Sequence, residues 1–469
     1  MSDKKKKGSI SAYSILLLII IVLALVTFFV PGVEKANLAT IVMAPYNGFL
    51  DAIDVCVFVL VLGGFLSVVT KTGALDAGIK ALVKKLHGNE LVLIPVLMSV
   101  FALGGTTYGM CEETVGFYAL ISATMVAAGF DTVVAAATIL LGAGIGCLGS
   151  TVNPFATGIA SDAIVSLGIN VDQSVVIGLG LFLTVVNLVI AIMFVLNYAK
   201  KVKNEKGSIL SSLEHDAMME AYGKEYTAEA DDFNGRKKAV LCVFALMFVV
   251  MIISVIPWDG LFGEEWLLGV FGWSEFLTGQ PLGWWWFGEL AMWFFLGSIV
   301  IGIIGGLNEK EIVDAFIFGA GDIISVVLVI AVARGASVLM TQTGLSDWIL
   351  SSASSALANV PGFVYAPASY LLYLGLSFLI PSTSGCASVT MPIMGPLTAE
   401  LGHNPAVIVM IFSAASGLIN LFTPTSGVVM GGLKIAKVEY STWLKWAGKL
   451  ILLLGVINCV ILTVAMLIF

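Results

Sequence analysis

Four short stretches of the chain set hydroxyl, amide and carboxyl groups among glycines and prolines inside otherwise apolar runs. Residues 104–109 read GGTTYG and lead into Glu112, Glu113 and Thr114; 149–158 read GSTVNPFATG; 381–385 read PSTSG; 420–427 read NLFTPTSG. They offer Thr106, Thr107, Tyr108, Glu112 and Glu113, then Ser150, Thr151 and Asn153, then Ser382, Thr383, Ser384 and Ser388, then Asn420, Thr423, Thr425 and Ser426. Backbone that leaves a helix at membrane depth frees N–H and C=O groups, which side chains, water or a bound solute must satisfy. Helix amino termini restarting after such breaks direct partial positive charge at the same place, which suits a carboxylate. The implied chemistry is polar recognition of a small solute.

Glu112 and Glu113 have no acidic counterpart in the 381–388 stretch. A carboxylate at membrane depth is costly and by default functional, here to bind a cationic group or a proton. A wet tip, or a glutamate capping the returning helix, is the plainer alternative. Adjacent helical residues diverge by about 100°, so the two glutamates do not share one role. Arg334 is the only basic residue deep inside an apolar crossing, Lys449 standing at the cytoplasmic start of 446–468, and substrate contact, a structural ion pair and a water-facing position all fit it. Asp51, Asp54 and Asp322 stand at expected helix starts, where solvation at the membrane edge accounts for them. Trp284, Trp285, Trp286 and Trp293 read as an interfacial belt. The cysteines fall singly, without CxxC spacing, and His87, His215 and His403 lie far apart, so no metal site or cofactor is implied. There is no HExxH and no aspartate-rich cluster, which argues against a membrane enzyme.

The elements that must hold these groups are membrane helices. The 469 residues are 59% hydrophobic and 12% charged, with a mean hydropathy of +1.02, whereas a soluble domain is about a quarter charged. A net charge of −8 without a basic face excludes nucleic acid as a partner. Apolar runs long enough to cross lie at 11–30, 52–69, 174–198, 239–257, 286–306, 322–340 and 446–468. Two more, 131–167 and 404–436, are interrupted in the middle, and 91–128 and 367–400 read as re-entrant hairpins around a polar centre. The expectation is an all-α polytopic membrane protein with nine crossings, two hairpins and two interrupted helices. Lys4 to Lys7 precede a run too long for a signal-peptide core, so the first helix is expected to be retained with a cytoplasmic start. In this topology every basic residue except Lys35 and Arg334 falls on the cytoplasmic side, as the positive-inside rule requires. The carboxyl terminus then lies outside.

The halves resemble each other. VFVLVLGGFLSVVTKTGALD (57–76) aligns without gaps on LVIAVARGASVLMTQTGLSD (328–347), which also sets Gly48 opposite Gly319 and Asp51 opposite Asp322. The hairpin centres and interrupted helices recur in the same order, so the chain reads as a duplication. The expected organisation is a cytoplasmic start at 1–9, a first unit at 10–198 and a solvated cytoplasmic connector at 199–238. An extra helix with an external loop at 239–285 precedes a second, inverted unit at 286–469. Inverted repeats with paired hairpins and broken helices are the architecture of a secondary transporter, with its site at the repeat interface.

GGTTYGMCEETVGFYALI (104–121) with PSTSGCASVTMPIMGPL (381–397) resembles the anaerobic C4-dicarboxylate carrier (DcuC)-like family, in its branch of basic amino acid antiporters of YfcC and ArcD type. The resemblance covers nearly the whole chain. It implies an ion-transporter superfamily fold, a homodimer in the bacterial inner membrane, and elevator motion of a transport domain against a scaffold. It maps hairpin tips onto Thr106, Thr107, Tyr108, Glu112 and Glu113 and onto Ser382, Thr383 and Ser384. Unwound helices map onto Asn153, Pro154, Thr423 and Pro424, and Arg334 falls in the scaffold. Sodium-coupled relatives carry Ser-Asn-Thr tips, where this chain has Thr-Thr-Tyr and Ser-Thr-Ser. The expected activity is exchange of a cationic amino acid such as arginine for one such as ornithine. Its substrate carboxylate would sit at the hydroxyl-rich tips and its cation on Glu112 or Glu113. The alternative is a proton- or sodium-coupled carrier of four-carbon dicarboxylates or short-chain fatty acids; a channel is a third reading. The partners implied are a small-molecule substrate, the lipid bilayer and a second copy of the chain.

Overall fold

The computed structural model describes residues 12–469 apart from 76, 79, 80, 82–88, 204–206, 224–233, 257, 358, 359 and 381. Lys4 to Lys7, Lys80, Lys84, Lys85, His87, Lys206, Lys224 and Pro381 therefore lie outside the described residues, as do the side chains of Tyr108, Glu113 and Pro154.

The described elements are helices. After α1 (Ala12–Thr27) come α2 (Leu38–Asp51) and α3 (Ile53–Lys71). Asn37 caps α2 by accepting from Thr40 N at 2.9 Å. The break at Ala52 is slight, because Ala52 N still bonds Gly48 O and Cys56 N bonds Ala52 O. Next are α4 (Leu93–Tyr108), a 3-10 turn over Glu112–Phe117, α5 (Tyr118–Ala127), α6 (Thr132–Leu148) and α7 (Ile159–Val165). Then follow α8 (Gln173–Val202), α9 (Ser212–Tyr222) and α10 (Gly235–Val255). Three short helices, Trp258–Phe262, Glu264–Phe271 and Glu275–Thr278, occupy the stretch read as an external loop. The second half comprises α11 (Phe287–Gly305), α12 (Glu309–Thr343), α13 (Leu345–Leu357), α14 (Gly362–Leu379), α15 (Thr383–Glu400), α16 (Pro405–Ile419), α17 (Gly427–Ile435) and α18 (Tyr440–Ile468).

Among the described residues, 7 helices are long and apolar enough to cross a membrane: α3, Glu90–Thr107, α8, most of α10, α11, α12 and α18. Helix α1, expected as a full crossing, is one of the shorter apolar helices. Two expected boundaries change. The 322–340 run is the end of the 35-residue helix α12, about 52 Å long at about 1.5 Å per residue. That exceeds a hydrocarbon core of about 30 Å, so α12 is inclined or projects beyond it. The 52–69 run is the second half of the bent pair α2–α3, which lies antiparallel to α12 along its length. Close approach at both halves requires glycine: a Cβ on Gly48 would strike Ala331 O and Gly335 N, and one on Gly319 would strike Gly63 O.

Helices α1, α2, α3, α11 and α12 form one body. Leu16 of α1 packs with Val329 of α12, and Tyr13 donates to Ser325 O at 2.6 Å. Along α3, Phe58 meets Phe287 at 5.5 Å and Phe65 meets Phe294 at 4.9 Å between ring centroids. The second body is built on α6 and α16, which are apolar on every side and almost wholly buried. Both hairpin arms α4 and α5 lie on α6, and α14 and α15 lie on α16. Each hairpin also reaches across: α15 packs on α7, and the Glu112–Phe117 turn packs on α17. Helices α8 and α18 meet where the buried Asn187 Nδ2 donates to Asn458 Oδ1 at 2.7 Å.

The described part of the connector includes a helix docked by hydrogen bonds. Helix α9 opens with a capping box of Ser211 and Glu214. Glu214 Oε1 also accepts from Glu439 N at 2.8 Å, and Tyr222 donates to Ile435 O at 2.6 Å. Lys203 pairs with Glu90 at 2.8 Å, while Tyr198 and Ser208 each donate to Asp131 Oδ2 at 2.6 Å. These bonds tie the connector to the ends of the second body.

Candidate functional site

A cavity of about 260 Å³ lies where the two bodies meet. The second body contributes the hairpin tip at Gly109, Cys111 and Glu112, the break at Asn153, Phe155 and Ala156, and the second tip at Ser382, Thr383 and Ser384. It adds Asn420, Thr425 and Ser426 from the other break. The first body contributes Asp51 and Asp54 at the α2–α3 bend, Arg334 and its neighbours on α12, and Trp286 and Phe287 at the start of α11.

The first tip is held open by its own hydrogen bonds. Helix α4 stops at Gly109, whose φ of 77° is left-handed and whose missing Cβ leaves room for the Asn153 amide. Thr106 Oγ1 donates to Gly149 O at 3.0 Å, and Thr151 N donates to Thr106 O at 2.8 Å, so hairpin and break are bonded together. Asn153 Nδ2 donates to Ser150 Oγ at 2.9 Å while its Oδ1 accepts from Phe155 N at 2.9 Å. The freed carbonyl of Gly149 is also satisfied by Thr184 at 3.0 Å. At the second tip, Ser382 caps α15 by accepting from Gly385 N at 3.2 Å, and Thr383 and Ser416 share a 3.2 Å hydroxyl contact. Ser426 caps α17, and Thr425 bonds Thr423 at 2.7 Å. The amino termini of α15 and α17 therefore both face the cavity.

Of the groups singled out from sequence, Glu112, Asn153, Ser382, Thr383, Ser384, Asn420, Thr425, Ser426 and Arg334 line this one space. Thr106, Thr107 and Thr423 do not: Thr107 bonds back to Leu103 O at 2.7 Å, and Thr106 and Thr423 are buried in the bonding just described.

Asp51 and Asp54 were set at a membrane edge by sequence; instead the α2–α3 bend carries them to the cavity. Asp51 Oδ2 lies 3.4 Å from Arg334 Nε, and Asp54 and Glu112 line the same space. Among the described residues, three acidic side chains and one arginine line the cavity. The tryptophans also divide. Trp285 and Trp293 donate to the backbone of Gln280 and Met247, and Trp284 donates to Asp259. Trp286 turns to the cavity and packs on Phe155 with 4.6 Å between ring centroids. The signal that the sequence offers for Asp51 is an acid one residue before an expected helix start, which solvation at a membrane edge explains equally well. Nothing in sequence distinguished Trp286 from its neighbours.

The family profile described as C4-dicarboxylate anaerobic carrier (DcuC) matches residues 35–467. An uncharacterised protein of Haemophilus influenzae is 31% identical over 419 residues, 89% of this chain and 76% of that protein. YfcC of Escherichia coli (strain K12), whose name gives basic amino acid antiport as its proposed activity, is 29% identical over 457 residues, 93% of this chain and 82% of that protein. Among solved structures, Neisseria gonorrhoeae MtrF, described with a class of antimetabolite efflux pumps, aligns over 99% of this chain and 96% of its own. Its identity of 15% and TM-score of 0.43 are too low to bear on this chain's fold. A match over almost the whole sequence to a family of membrane carriers, with a polar cavity between two helical bodies, places the chain: it belongs to the C4-dicarboxylate anaerobic carrier (DcuC) family.

Proposed function

We propose that the protein is a secondary transporter that exchanges basic amino acids of the arginine and ornithine type. The observation that carries this reading is the acidic lining of the cavity: among the described residues Asp51, Asp54 and Glu112 stand there with Arg334 as the one basic group. A dicarboxylate would meet that excess of negative charge as repulsion, whereas a cationic amino acid matches it. Its carboxylate has the amino termini of α15 and α17 and the hydroxyls of Ser382, Thr383 and Ser384. Its side-chain cation has Glu112 in a charge-assisted hydrogen bond, with the Phe155–Trp286 rings as a cation–π wall. The name of YfcC supports the same substrate class.

The two bodies also suit an elevator. Glu112 and the polar tips belong to the body of hairpins and broken helices, while Asp51, Asp54 and Arg334 belong to the body built on α12. In our reading the first set travels with the substrate, and the second stays and draws cations to the mouth. Two inverted units follow in the same reading. The contact of Asn187 with Asn458 joins positions 271 apart, the spacing that sets Asp51 opposite Asp322. Cys56 and Val327, also 271 apart, touch as well. Such self-equivalent contacts are what a two-fold axis between inverted repeats produces.

Binding to the purified protein tests the substrate class. Arginine and ornithine should titrate in the wild type, and Glu112→Gln should weaken them about 10- to 100-fold, the worth of a hydrogen bond to a charged group. Tighter binding of succinate than of arginine, unaffected by Glu112→Gln, would overturn the reading.

A further inference from the structure

Away from this cavity, a groove of about 870 Å³ lies between the carboxyl end of α8, the amino end of α18 and the connector. Its floor is aromatic: Trp446 stands 4.8 Å from Phe194 and 5.1 Å from Tyr198, ring centroid to centroid. Lys201, Lys445 and Lys449 converge on it from the two helices. All three are exposed, and among the described residues none of them is in an ion pair. Among the described residues the one carboxylate in the lining, Glu214, is already engaged by Ser211 N at 2.7 Å and Glu439 N at 2.8 Å. Lys445 and Lys449 are one helical turn apart, a like-charge pair that is unfavourable unless an anion neutralises it.

The surroundings indicate where that anion comes from. Below the groove, α8 and α18 present long exposed apolar rows, with Val189 50% and Met193 54% exposed on one helix and Leu452 72% and Val456 58% exposed on the other. An amphipathic ligand fits both features, its charged end at the lysines and its chains along the rows. We infer that this groove is a binding site for the phosphate headgroup of an anionic phospholipid, held by Lys201, Lys445 and Lys449 with its glycerol end over Trp446. Basic pockets between helices at a membrane surface recognise such headgroups. Because Ser211 and Glu214 form one wall, a bound lipid also holds the connector in place.

The test is native mass spectrometry of the delipidated full-length protein titrated with phosphatidylglycerol, phosphatidylcholine or inorganic phosphate. The variants are a triple Lys201→Gln, Lys445→Gln, Lys449→Gln protein and a charge-matched control, Lys71→Gln, Lys310→Gln, Lys434→Gln. Phosphatidylglycerol should form at least tenfold more adduct than phosphatidylcholine on the wild type and the control. The triple variant should lose that preference while remaining monodisperse. The same lipid should raise the melting temperature of the wild type and not of the triple variant. Equal adducts on all three proteins, equal binding of the zwitterionic lipid, or lysine-dependent binding of inorganic phosphate without lipid would each overturn the proposal.

Discussion

Arg334 is the residue on which the charge balance of the cavity turns. Its partner Asp51 is half exposed, at 49% against 24% for the arginine side chain, so the pair is wet and exchangeable and not a buried lock. Removing only the arginine leaves three unopposed acids, while removing both partners restores most of the balance. Arg334→Gln should therefore impair transport severely, and Asp51→Asn with Arg334→Gln should recover part of it. A double-mutant cycle on initial exchange rates should show coupling of about 0.5–3 kcal/mol; additive losses would mean that the two do not act together. Glu112 stands out in sequence because, with Glu113, it is an acid among glycines and threonines within an apolar stretch. Asp51 and Asp54 were not, because Pro45, Tyr46, Asn47 and Gly48 make 38–51 too polar to pass as a crossing. Only the antiparallel fit of α2 against α12 shows that Asp51 sits within a long bent helix and not at its edge.

Helix breaks announced themselves through glycine, proline and clustered hydroxyls: α4 ends against Gly109, α6 against Gly149 and α16 against Asn420. The connector did not, because α9 has a mixed polar composition and gains its order from tertiary bonds. Burial pushes the Glu214 carboxyl up, but hydrogen bonds from Ser211, Glu439 and Thr442 outweigh it and hold the group below its ordinary value. A depressed carboxylate stabilises the docked state above its unfolded value of about 4.3 and loses that effect as pH falls through the folded value. Amide exchange of 208–222, corrected for intrinsic rates, should be unchanged from neutral pH down to that range and rise below it. Glu214→Gln should show the raised exchange already at neutral pH. Where α8 crosses α18, Asn187→Leu leaves the Asn458 amide without its partner and should cost about 1–3 kcal/mol in thermal or denaturant unfolding. The double replacement Asn187→Leu, Asn458→Leu should cost less than the two singles added, since both polar groups then leave together. A strictly additive double would show that the Asn187–Asn458 bond couples nothing.

Across the whole molecule, one helical body carries hydroxyl tips, helix amino termini and Glu112, and the other carries two aspartates and an arginine. Membership of a carrier family and a cavity between the bodies together define a transporter; in the reading proposed above, the acidic lining selects a cationic solute. Composition and hydropathy made the membrane class plain, because 59% hydrophobic and 12% charged residues leave no other solvent for the chain. They could not show that α2–α3 and α12 form the spine of one body, since that depends on glycine-to-backbone approaches between residues far apart in sequence. The most direct test of cationic exchange is counterflow in proteoliposomes. Purified protein is reconstituted, and uptake of labelled arginine is followed with and without ornithine inside, with succinate present outside as competitor. Uptake that requires internal ornithine, saturates, ignores succinate and falls with Glu112→Gln is the result predicted here. Uptake of labelled succinate with none of arginine, or arginine entry that neither saturates nor depends on internal ornithine, would contradict it.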